Sequence, residues 1–113
     1  MRELARKERE LGPSHGDVAD CLANIAILYN QRGEQDKALP MYERALAIFE
    51  ITRGPESQDV AHTLTDLAVL HLEQGREDVG RPLLERAFEI QQKALGPDHP
   101  DVIAILDVLH GDD

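Results

Sequence analysis

Apolar positions along the chain recur at helical spacing. Val18, Leu22, Ile25 and Tyr29 stand at i, i+4, i+7 and i+11, which is one face of a helix. The pattern predicts a helix from Asp17 to about Arg32, with His15 as its N-cap and Gly33 as the left-handed residue that ends it. A second helix is predicted from Gln35 to about Arg53. Ala38, Met41, Tyr42, Ala45, Ile48 and Phe49 make its buried face. Period-two clusters of Val, Thr and Tyr are absent, so no strand is expected.

The same pattern then returns in register. Gly12, Gly54 and Gly96 are evenly spaced, and so are Asp17, Asp59 and Asp101. Val18, Val60 and Val102 follow the same step, as do Leu22, Leu64 and Leu106. Gly33 matches Gly75, Pro40 matches Pro82, and Glu43-Arg44-Ala45 matches Glu85-Arg86-Ala87. A repeat of two helices, A and B, therefore underlies the chain. Its limits are residues 11–52 for repeat 1 and 53–94 for repeat 2, within one domain spanning 1–113. Residues 1–10 read as part of a preceding helix B, since Met1 falls on Glu43 and Leu4 on Leu46. Residues 95–110 read as helix A of a third copy.

Local signals support the predicted ends. Ser57 is a good N-cap for the second helix A. Pro100 suits a first helical position, where its missing N–H costs nothing. The three repeated aspartates fall in first turns, against the positive end of the helix dipole. Pro40 and Pro82 lie more than a turn inside helix B, so a bend or a loosened first turn is expected there. Small residues at Ala38 and Gly80 predict a close approach of helix A to helix B. The last helix is strongly apolar, and His110 near its end is expected to fray before Gly111.

Composition narrows the function. A net charge of −10 argues against nucleic acid and anionic membrane, both of which demand a basic patch. It favours neutral or basic partners. One cysteine, Cys21, excludes an intrachain disulfide and fits a reducing, cytoplasmic setting. No apolar run is long enough for a bilayer span.

The two-helix unit resembles a tetratricopeptide repeat. The residues that carry the likeness are Leu22, Ile25-Ala26, Tyr29, Ala38, Tyr42 and Ala45 in repeat 1. In repeat 2 they are Leu64, Leu67-Ala68, His71, Gly80, Leu84 and Ala87, where His71, Gly80 and Leu84 depart from the pattern. The period and the segment Leu95-Gly96-Pro97-Asp98-His99-Pro100-Asp101-Val102 resemble the kinesin light chain and nephrocystin-3-like type. The resemblance implies an all-α fold, a right-handed α-solenoid of antiparallel helix pairs. Its concave groove would be lined by the A helices and would bind protein partners.

A second stripe on helix A marks candidate groove residues. In repeat 1 it is Asp20, Asn24, Ile27 and Gln31; in repeat 2 it is His62, Asp66, Val69 and Glu73. An apolar residue stands among polar ones at the same place twice. Ile27 and Val69 suit an apolar peptide side chain, and Asn24 both donates and accepts, as a peptide main chain requires. Asp66 only accepts when ionised. The preference of kinesin light chains for acidic cargo peptides does not carry over, because this stripe is itself acidic.

The expected function is a protein–protein interaction scaffold that takes a peptide or partner helix. Two alternatives stay open: a structural segment of a longer array that self-associates through its apolar last helix, as a homo-oligomer, or a regulatory segment of a larger signalling protein. No cofactor is expected. His62 with Asp66, and His71 with Glu73, are too few and too divergent for a structural zinc site. There is no phosphate loop, GxSxG or Cys/His nucleophile pair, so no enzyme activity is expected.

Overall fold

The computed structural model describes residues 2–110 and is all helical. Six helices follow in order: α1 (Arg2–Leu11), α2 (Gly16–Gln31), α3 (Gln35–Thr52), α4 (Gln58–Glu73), α5 (Glu77–Leu95) and α6 (Pro100–His110). Met1, at the start of the partial helix B, and Gly111, expected to close the last helix, lie outside the described residues. The helices group into two compact units, Met1–Pro55 and Glu56–Asp113. In the first, α2 packs on α1 and α3; in the second, α5 packs on α4 and α6.

Caps fix most of the boundaries. The His15 ring accepts from the N–H of Asp17 at 3.0 Å, and His99 does the same for Asp101 at 3.1 Å. Ser57 Oγ accepts from Val60 N–H at 3.2 Å. Each satisfies a donor that the first turn leaves without an intrahelical partner. At the other end, Gly33 and Gly75 both take a φ of 78°. That left-handed turn lets Glu34 N–H reach back to Tyr29 C=O at 2.9 Å, and Arg76 N–H to His71 C=O at 2.9 Å. Both α3 and α5 continue as helix through Pro40 and Pro82.

The first unit buries Val18, Ala19, Leu22 and Ala26 from α2 with Ala38, Tyr42, Ala45 and Phe49 from α3. The second buries Val60, Ala61, Leu64, Leu67 and Ala68 from α4 with Leu84, Ala87 and Ile90 from α5. From α6 come Val102, Ile105 and Leu109. Two expectations need adjustment. Ile25 and Tyr29 are only half-buried. The packed face of α2 is shifted toward its alanines, which let the helices lie close. At the end of α6, where fraying at His110 is expected, the helix runs to His110 and Arg81 of α5 donates to the Leu109 carbonyl at 2.9 Å, an acceptor that the last turn leaves open.

The close approach predicted at the small residues is visible at Gly80. A Cβ there would stand 2.8 Å from Leu72 Cγ and 3.0 Å from the Ala68 carbonyl oxygen of α4. Ala38 holds the matching place in the first unit and is fully buried.

Candidate functional site

Each A helix carries a candidate stripe on the face beside its packed one. On α2, Asp20 and Ile27 are half-buried, and Asn24 and Gln31 are exposed. On α4, Asp66 and Val69 are half-buried, and His62 and Glu73 are exposed. The two stripes therefore match in burial at two of four places: Ile27 and Val69 both sink partway, and Gln31 and Glu73 are both exposed, whereas Asp20 is more buried than His62 and Asp66 more buried than Asn24. The rise of a helix sets successive stripe residues about 4.5–6 Å apart along the axis.

The two stripes differ in charge. In the first unit, Arg53 follows α3 and reaches across to α2. Its guanidinium donates to both carboxylate oxygens of Asp20, at 3.2 and 3.0 Å, and stands 3.8 Å from Asp17. The same group lies 5.1 Å from the centre of the Phe49 ring. Gly16 leaves it room, for a Cβ there would come within 3.1 Å of Arg53 Nη2. Asp20, a stripe residue, is thus held and neutralised from within the unit. The periodicity did not point to Arg53. The available signal was a paired change, since repeat 2 has His62 for Asp20 and Leu95 for Arg53.

In the second unit no such cation answers Asp66. Burial pushes its carboxyl above the usual carboxylate range, and the charge of His62, one turn earlier, offsets part of that rise. His71, by contrast, is buried on the packed side, with its Nδ1 3.4 Å from Arg76. It does not join His62. Among the described residues no group of three His, Cys, Asp or Glu side chains could hold a metal ion. No helix among them is long and apolar enough to cross a membrane.

Comparison with known proteins bears on the family and the fold. A tetratricopeptide-repeat pattern matches residues 2–51 and 36–79, and a second pattern of the same description matches 60–101. The chain belongs to the tetratricopeptide-repeat family. The fold is accordingly an all-α tetratricopeptide-repeat solenoid. Twenty-six chains of solved structures resemble it. One is the crystal structure of BtubC (BKLC) from P. vanneervenii, a kinesin light chain-like protein. It matches with a TM-score of 0.85 and 27% identity over 98% of this chain. The tetratricopeptide-repeat chain described here spans 45% of the length of BtubC. No curated protein sequence matches it. Tetratricopeptide repeats generally mediate protein–protein interaction.

Proposed function

We propose that the chain is a non-catalytic protein-interaction scaffold that takes a peptide or partner helix along the outer stripes of its A helices. One observation carries this reading. Ile27 and Val69 occupy the same off-core place one repeat apart, and both are half-buried between polar neighbours. What supports the reading is the recurrence: an apolar residue at the same place in both repeats offers a contact to an apolar peptide side chain. Asn24 supplies a donor and an acceptor for peptide main chain, and Gln31 a second amide. Asp66, His62 and Glu73 make the second half more polar and more acidic. The lone, half-buried thiol of Cys21 suits work in the cytoplasm.

The test is a protein partner captured with the chain, its affinity then measured by calorimetry. Replacing Asn24 and Asp66 together by Ala should weaken it by about tenfold or more, the value of one or two lost polar contacts. An unchanged affinity refutes the stripe assignment.

A second reading rests on α6. Ile103, Leu106 and Val108 are 44%, 38% and 46% exposed. The residues equivalent to the first two, Ala61 and Leu64, are fully buried in α4. This helix could therefore pair with another copy or with a further helix of a longer array, as in a regulatory segment of a larger protein. Light scattering after size exclusion decides the first case, and a stable monomer at high concentration rules it out.

A further inference from the structure

Resting on the scaffold reading, we infer that the α4 stripe recognises a cationic side chain: the partner segment carries a Lys or Arg that meets Asp66, beside an apolar residue or stem that packs on Val69. The argument is one of charge complementarity within each unit. Several cations of the chain pair with its own acids. Arg53 holds Asp20, Arg44 pairs with Glu8 at 3.3 Å, Lys93 with Glu56 at 3.3 Å, and Lys37 with Glu34 at 3.2 Å. Asp66 has no hydrogen bond or ion pair among the described residues, only the field of His62.

A half-buried carboxylate without a counter-ion has lost part of its hydration and received nothing in return. Burial raises its proton affinity for that reason. An incoming ammonium or guanidinium supplies the missing partner, and the loss of remaining water at the carboxylate is already partly met. Val69 lies within the next turn on the same stripe, so it can cover the aliphatic stem of a Lys or Arg, whose methylenes pack on apolar surface while the head stays polar. The matching place on α2 is Asn24, an uncharged amide, and the acid on that stripe is already neutralised by Arg53. Each stripe therefore has its own chemistry: α2 offers an amide and an apolar residue, and α4 a negative charge. The chain's charge of −10 draws a basic partner in the same direction at longer range.

The experiment selects peptides from a randomised dodecapeptide display library on the full chain and tests them on its Asp66→Asn, Val69→Glu and Ile27→Glu variants. Selected peptides should be rich in Lys or Arg next to an apolar residue. Against Asp66→Asn, which keeps shape and loses charge, they should bind about tenfold more weakly and with a shallower salt dependence. Peptides that bind through Val69 yet show no cationic enrichment, or that are indifferent to Asp66→Asn, overturn the charge assignment and leave the scaffold reading standing. Peptides indifferent to Val69→Glu and to Ile27→Glu alike overturn both.

Discussion

Gly80→Ala sets two effects of opposite sign against each other. Gly80 lies in the first turns of α5, where alanine gains about 1 kcal/mol of helix propensity over glycine. The added methyl would meet Leu72 at 2.8 and 2.9 Å and the Ala68 carbonyl oxygen at 3.0 Å. Leu72 is a side chain and can turn aside. The carbonyl belongs to the backbone of α4 and moves only with the helix. Overpacking of this kind costs about 1–3 kcal/mol, so the variant should lose roughly 0–2 kcal/mol and melt a few degrees lower. The first unit shows why: it has Ala38 in place of Gly80, but Asn30 in place of Leu72. Adding Leu72→Asn to Gly80→Ala should therefore recover stability relative to the sum of the single changes. Urea denaturation of the four proteins, followed by far-ultraviolet circular dichroism, gives the coupling directly. If Gly80→Ala is more stable than the parent by the full propensity gain, the close approach of α4 and α5 does not restrict residue size.

Two other outcomes follow from named contacts. Arg53→Ala removes a two-pronged pair to Asp20 and a ring contact to Phe49; with the groups partly exposed, it should cost about 0.5–1.5 kcal/mol, and less at high salt, in denaturation titrations at two ionic strengths. Asp66 has a folded pKa raised by burial, so its contribution to stability is full below its unfolded value and is lost as pH rises through the folded one. Asp66→Asn should accordingly gain on the parent between acid and neutral pH, by less than about 1 kcal/mol, in melting curves across that range; a variant that loses ground there contradicts the burial of the charge.

Much of this was readable in the sequence because it is local. His15, Ser57, Pro100 and Gly33 act on backbone groups within a few residues of themselves, so their identity nearly decides where helices start and stop. The repeat made each such reading testable against its copy. The stripe of Asn24, Ile27, Asp66 and Val69 was likewise legible, since residues three and four apart must share a helix face. Arg53 on Asp20 was not. It joins residues far apart in the chain, and no periodicity links a post-helix arginine to a particular carboxylate.

The sequence by itself determined six helices, their caps and the doubling of one unit, because helical hydrogen bonds close within four residues and caps within three. Tertiary structure decided how wide the packed face of each helix is and which polar groups it shelters. Periodicity says that Ala19, Leu22, Ile25, Ala26 and Tyr29 lie near one another; only the distance to the neighbouring helix makes the alanines buried and leaves Ile25 and Tyr29 half-open. The same distance sinks Asp66 partway from water while Asn24, its counterpart, stays exposed. A charge's environment depends on everything packed around it, and a linear pattern holds no record of that.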